Sequence, residues 1–332
     1  MLRFELTRRV FLAAPALAAQ KTGLLEVRKI WDEAPHNAFT DLIRFEDQWF
    51  CTFREADDHV GGDGKIRVLV SPDGSEWESA ALLEETGIDL RDPKLSITPD
   101  GRLMIVAGGS VYQGTKDLKG RQPRVAFSED GRSWTKPQRI LANGDWLWRV
   151  TWHDGRAYGV SYNIQPQLTG GAQAEQWALK LYESADGLDW RPITALEAPN
   201  RANETTLRFT DEGEMLALVR REEGDRIAWF GSSRAPYRDW EWQPTGYRFG
   251  GPNFIILDDG SMIAGGRLYE EDGNRTAVGS LTRQGYTPLL TLPSSGDSSY
   301  PGFVWHDGLL WMSYYSSHEG KTSIYLAKIR WN

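Results

Sequence analysis

Polar and charged side chains recur in this chain where short apolar runs begin and end. The starts of the runs carry His36, Asn37 and Asp41, then Arg91 with Asp92, Trp148 with Arg149, Asn203 with Glu204, and Ser299 with Tyr300. The ends of the runs that follow carry Arg54 with Glu55, Arg220 with Arg221, and Arg267. One loop, after Arg54-Glu55, holds Asp57, Asp58, His59 and Asp63. Guanidinium groups gathered at one concavity suit a carboxylate, which they grip through paired hydrogen bonds. Carboxylates beside them suit proton transfer at a glycosidic bond. The five His and many Asp show no compact ligand spacing. The sequence therefore predicts no metal, and no other cofactor is expected.

For these residues to meet, the strands must be arranged around an axis. The motif S-x-D-G-x-x-W occurs at Ser71 to Trp77, Ser128 to Trp134 and Ser184 to Trp190, at intervals of 57 and 56 residues. A near-constant interval marks a repeat architecture. Asp and Gly accept turn conformations that other residues resist, and the trailing Trp closes the turn as an apolar plug. Six further hairpins run through Arg44–Phe50, Thr98–Leu103, Trp152–Ala157, Thr210–Met215, Leu257–Met262 and Trp305–Leu310. Five of them carry Asp-Gly or Glu-Gly between apolar runs, a strong hairpin signal. Each hairpin supplies the first two strands of a blade. The repeated turns join strands three and four in blades one to three, with eroded versions at Ser232 to Trp240 and Leu281 to Tyr286.

The predicted fold is all-β, a six-bladed β-propeller of four-stranded antiparallel blades. The C-terminus gives the last blade three strands, and Leu24 to Ile30 closes it, leaving no long open edge. Gln173 to Gln176 forms at most a turn. In such a blade the turns between strands one and two, and three and four, lie away from the central hollow. Asp73, Asp130 and Asp186 are therefore structural. First-strand starts and second-strand ends face the hollow, which is where the polar set lies.

Of 332 residues, 15 are Trp and one is Cys, and the formal net charge is −8. That balance argues against nucleic acid or an anionic membrane as partner. The tryptophans suit packing between repeats, with Trp146, Trp148 and Trp152 placed to stack on a sugar. Cys51, in an apolar run, reads as a small buried hydrophobe. Thr7-Arg8-Arg9-Val10-Phe11-Leu12 and the alanine-rich stretch to Ala19 resemble a twin-arginine export signal, too short to span a bilayer. Residues 1–19 are thus expected to be the signal and 20–332 a single domain. A periplasmic or secreted monomer, free of the membrane once the signal is removed, is expected.

Over most of residues 24 to 332 the chain resembles bacterial members of the sialidase superfamily. The resemblance rests on the S-x-D-G-x-x-W turns, which are similar to that family's Asp boxes, and on an ordered set of pocket motifs. It implies a tyrosine nucleophile assisted by a glutamate, an aspartate acid/base, and three arginines on the sugar carboxylate. Tyr300, in Ser298-Ser299-Tyr300-Pro301-Gly302, matches the nucleophile, and Glu204, in Asn203-Glu204-Thr205-Thr206, its partner. Arg220, in Leu218-Val219-Arg220-Arg221, matches the second arginine. Arg275, in Asn274-Arg275-Thr276, matches the third, with Arg267 competing. Asp92-Pro93 resembles a pocket-lining Asp-Pro. The family's opening Arg-Ile-Pro is His36-Asn37-Ala38 here, leaving Arg54, Arg91 or Arg149 to replace the first arginine. The acid/base falls in the loop of Asp57, Asp58, His59 and Asp63, and Asp58 or His59 takes the role.

The activity implied is a retaining exo-glycosidase acting on an anionic terminal sugar of a glycan, sialic-acid-like or uronic. Two other functions suit the same scaffold. A carbohydrate-binding propeller without catalysis needs no Tyr300–Glu204 pair. A polysaccharide lyase would use His36 or His59 as base and Tyr300 as acid.

Overall fold

A computed structural model describes residues 21–114, 117–164 and 178–332. Residues 1–19, expected from the sequence to be an export signal, and the Gln173–Gln176 segment lie outside the described residues. Six four-stranded antiparallel sheets make up the fold, and no helix occurs among the described residues. The first blade comprises β2 (His36–Phe45), β3 (Gln48–Ala56), β4 (Lys65–Ser71) and β5 (Glu78–Leu83). Blades two to five repeat this order from β6 (Asp89–Ile97), β10 (Asp145–His153), β14 (Ala202–Phe209) and β18 (Gly250–Ile256). The last blade is β22 (Ser298–His306), β23 (Leu309–Ser316) and β24 (Ser323–Arg330), with β1 (Gly23–Trp31) antiparallel to β24. The N-terminal strand therefore closes the ring, as its sequence predicts.

Burial falls from the axis outward. β2 is buried along nearly all of His36–Phe45, whereas the outermost strand of the same blade, β5, is mostly exposed. A strand covered on both faces reads as a continuous buried run, and an outer strand does not. Cys51 is fully buried.

The repeated turns fasten one blade to the previous one. In the second blade, Ser128 Oγ accepts from Gly131 N at 2.8 Å, Asp130 Oδ1 accepts from Ser133 N at 2.7 Å, and Trp134 Nε1 donates to Gly131 O at 3.0 Å. The turns at Ser71 and Ser184 repeat these serine and tryptophan bonds. Gly131 has φ 72°, and a Cβ there would meet the Phe50 ring of the first blade at 2.2 Å. Only glycine meets both demands. The interval between copies is the length of one blade because each copy locks against its neighbour.

Every first strand also slips register against its second strand at the same depth. The slips fall between Ala38 and Asp41, Arg91 and Lys94, and Leu147 and Val150. They recur between Ala202 and Thr205, Gly250 and Asn253, and Ser299 and Gly302. Bulges bend a strand and re-aim its side chains. Asp92, Glu204, Gly251 and Tyr300 all lie within them. Neighbouring bulges are stitched together: Thr40 Oγ1 donates to Tyr300 O at 2.8 Å, Thr206 Oγ1 to Pro252 O at 2.9 Å, and Asn253 Nδ2 to Pro301 O at 2.9 Å.

Candidate active site

Tyr300 and Glu204 come from blades six and four and meet at the axis. Tyr300 Oη donates to Glu204 Oε1 at 2.6 Å. The other carboxylate oxygen accepts from Arg220 Nη1 at 2.7 Å and from Gly251 N at 2.8 Å. Arg220 Nη1 also lies 3.2 Å from Tyr300 Oη, and Glu222 pairs with the same guanidinium. One phenol thus has a carboxylate to take its proton and a guanidinium to stabilise the resulting anion.

The local backbone explains the fit. Tyr300 adopts φ 55° and Gly251 φ 61°, a left-handed conformation that costs a tyrosine energy and a glycine little. A Cβ on Gly251 would sit 2.6 Å from the Tyr300 ring. Phe39 and Trp148 pack edge-on against that ring at 5.1 and 5.4 Å. Lys94 Nζ lies 5.7 Å from its centroid and 4.9 Å from that of Trp148. Burial raises the Tyr300 phenol well above its ordinary value, and the Glu204 carboxylate adds to the shift. The resting tyrosine is therefore neutral, and proton removal must accompany its use as a nucleophile.

Two aspartates near this pair have opposite environments. Asp92 sits in its bulge at φ 50°, buried, and its Oδ1 has no hydrogen-bond partner among the described residues. Burial raises its carboxyl, against the opposing charges of Arg91 and Lys94. Asp297 precedes β22 and is gripped from four sides. Its Oδ2 meets His59 Nδ1 at 2.6 Å and His36 Nε2 at 3.0 Å. Its Oδ1 accepts from Tyr315 Oη at 2.9 Å and Arg267 Nη2 at 3.3 Å. Burial acts to raise the Asp297 carboxyl, but the His36 and His59 hydrogen bonds and the Arg267 charge outweigh it and hold it far below the ordinary range. The two carboxyls are thus shifted in opposite directions, Asp92 up and Asp297 down.

Several residues singled out from the sequence have other partners. Arg54 is fully buried, bonded to both oxygens of Asp89 at 2.6 and 3.0 Å and to the carbonyl of Asp58 at 2.8 Å. Arg91 donates to His59 O at 2.8 Å and pairs with Asp89. These two arginines hold the loop after β3 in place. Arg149 is buried against Asp41 at 2.8 Å. Asn37 is buried and binds the backbone at Ala34 and Thr322. Arg275 turns to Asp272 at 3.1 Å, on the hairpin between β19 (Met262–Glu270) and β20 (Gly273–Thr282). Arg267, the competing candidate, is the one that reaches the Tyr300 neighbourhood, through Tyr315 and Ser298 O. Asp58 Oδ1 binds the amide of His59 at 2.6 Å. Trp148 is buried against Tyr300, so it supports that ring and offers no stacking face.

No family model and no curated protein sequence matches the chain. Solved structures do resemble it. A Dyadobacter fermentans protein of unknown function superposes with a TM-score of 0.82 at 18% identity, covering 94% of this chain and 100% of that one. An α-L-arabinofuranosidase from Fusarium graminearum gives a TM-score of 0.71 at 13% identity, covering 93% and 98%. The Trypanosoma rangeli sialidase gives 0.67 at 12% identity; 89% of this chain aligns, and it spans 55% of the sialidase. At these identities the likeness establishes the architecture: the chain shares the six-bladed propeller of sialidases and of this arabinofuranosidase.

Proposed function

We propose that the protein is a retaining exo-glycosidase with Tyr300 as nucleophile. The observation that carries this reading is the 2.6 Å hydrogen bond from Tyr300 to Glu204, closed by Arg220. A propeller serving only to bind sugar has no need of it. Tyr300 Oη attacks the anomeric carbon while its proton passes to Glu204 Oε1, and Arg220 stabilises the developing phenolate. The glycosidic C–O bond breaks with its electron pair going to the leaving oxygen. Asp92 supplies that oxygen's proton, because a buried carboxyl with a raised pKa stays protonated closer to neutrality. Water then attacks the anomeric carbon, giving its proton to the Asp92 carboxylate, while the Tyr300–sugar bond breaks and the phenolate recovers its proton from Glu204. Asp92 replaces Asp58 and His59 in this role, since Asp58 caps its own loop and His59 is bound to Asp297.

The sugar is anionic in this reading, with Arg267 and Arg220 as its guanidinium contacts. The shared fold with glycoside hydrolases supports the reaction class, and the basic, alanine-rich N-terminus supports export. Aryl glycosides of a sialic acid, of uronic acids and of arabinofuranose, incubated with the purified protein, test the proposal. Release of the aryl group with retained anomeric configuration is expected for an anionic sugar. Cleavage with inversion, or a product absorbing in the ultraviolet as an unsaturated uronate, overturns it.

A further inference from the structure

Two histidines, His36 and His59, pack against the far side of Phe39 from the Tyr300 ring and serve no step of that reaction. His36 opens β2, His59 lies in the loop after β3, and Asp297 sits just before β22. Ring closure brings β22 beside β2, so three residues far apart in sequence converge at the seam between the last and first blades. His36, His59 and Asp297 each offer one ligand atom within 4.8 Å of the other two, and Asp297 Oδ2 meets His36 Nε2 and His59 Nδ1 directly. We propose that His36 Nε2, His59 Nδ1 and Asp297 Oδ2 form a binding site for one divalent transition-metal ion, with an open coordination position on its solvent-exposed side.

Four features of the geometry support the site. First, both imidazoles bring a nitrogen to the same oxygen, Oδ2, at 3.0 and 2.6 Å, so the three candidate ligand atoms are already clustered. Second, the ring centroids are 5.4 Å apart at an angle of 81°. Two imidazoles on one tetrahedral ion, with bonds of about 2.0–2.1 Å, hold their centroids roughly 5 Å apart. Binding needs the ligand atoms to open by less than about 1 Å from the contact distances in this structure. Third, Oδ1 is already fixed by Tyr315 and Arg267, so the carboxylate is oriented to bind through Oδ2 alone. Outer partners of this kind set ligand orientation and affinity. Fourth, the side chains are graded in exposure, His36 at 8%, Asp297 at 24% and His59 at 43%. The protein covers one side of the site and solvent reaches the other. Three protein ligands plus an open position describe a reactive ion or one that grips a substrate oxygen, and a closed fourth ligand would describe a structural one.

Two imidazoles and a carboxylate favour zinc or a neighbouring first-row ion over magnesium or calcium, which prefer oxygen alone. The surrounding positive charge is partly compensated: Asp89 neutralises Arg54 and Arg91 in part, and Arg267 is paired to Asp297 itself. An ion here would add positive charge next to Arg267 and Tyr315, which hold the other oxygen of Asp297. The site does not depend on the glycosidase reading, since binding is measured without any sugar.

The test is titration of the chelator-stripped full chain with Zn2+ by calorimetry, and with Co2+ by visible absorption. One equivalent of Zn2+ should bind, and Co2+ should give the intense bands of a four- or five-coordinate ion. His36→Ala, His59→Ala and Asp297→Asn should each weaken Zn2+ binding by more than about 100-fold, and Tyr315→Phe by about 10-fold, as outer-shell losses do. His306→Ala, in an exposed hairpin at the opposite face, should bind like the wild type. No saturable Zn2+ binding by the wild type overturns the proposal. So does undiminished binding by correctly folded His36→Ala and His59→Ala variants. The cobalt spectrum needs no variant, so weak octahedral bands in the wild type overturn it even if the substitutions fail to fold.

Discussion

Removing one hydroxyl from Tyr300 should abolish turnover while leaving the packing around its ring intact. In Tyr300→Phe the ring keeps its contacts with Phe39, Trp148 and Tyr315. Glu204 keeps Arg220 and the Gly251 amide. The stability loss is therefore one charge-assisted hydrogen bond, about 1.5–3 kcal/mol. For a chain of this size that lowers Tm by roughly 2–5 °C, measurable by scanning calorimetry and short of unfolding at assay temperature. Glu204→Gln removes the proton acceptor and should lower kcat by about 10²–10⁴-fold. Tyr300→Phe should lose at least as much. The two residues act on one proton, so the Tyr300→Phe, Glu204→Gln double variant should be no slower than Tyr300→Phe alone. Initial rates on the best aryl glycoside, with ligand binding measured separately, complete the cycle. Losses that multiply in the double variant would refute the claim that the pair works as a unit. So would a Tyr300→Phe enzyme within tenfold of wild type.

Further outcomes follow from the same contacts. Gly251→Ala places a methyl against the Tyr300 ring at a left-handed φ, so it should lower kcat by more than about tenfold and cost about 1–3 kcal/mol of stability, read by kinetics and urea unfolding. Asp92 has a raised carboxyl in the fold, so its stability contribution falls as pH rises from near 4 through the folded pKa. Asp92→Asn should thus be more stable than wild type at pH 7, with the advantage shrinking towards pH 4, yet slower on substrates with poor leaving groups. Lys94 is fully buried, and burial pushes its amine down from 10.5 to about 8. The unfolded chain binds that proton more tightly, so the stability of wild type relative to Lys94→Met should rise between pH 8 and 10.5, by about 3 kcal/mol at most.

The fold was legible because its cause is local. Ser, Asp, Gly and Trp within each repeated turn satisfy one another, and Gly131 meets the previous blade at a fixed place, so the interval between copies discloses the blade. Tyr300, Glu204 and Arg220 were legible for a related reason, since strand starts and ends at one face of a ring must share its hollow. The roles of Arg54 and Arg149 were not, because a guanidinium's partner is invisible in sequence. Arg54 is neutralised by Asp89, 35 residues on, and Arg149 by Asp41 across the axis. Asp297 escaped notice in Ser294-Ser295-Gly296-Asp297-Ser298, a stretch that reads as an ordinary turn. Its place directly before the strand that carries Tyr300 was the one available signal. The convergence of His36 and His59 on it exists only because the last blade closes against the first.

The most direct measurement is mass spectrometry of protein quenched during turnover of a slow, fluorinated substrate, chosen from whichever sugar class the screen identifies. The account predicts a glycosyl mass on the peptide containing Tyr300, localised to the phenol oxygen and absent from Tyr300→Phe. The same mass on Glu204, or a labelled site elsewhere in the cavity, would contradict it.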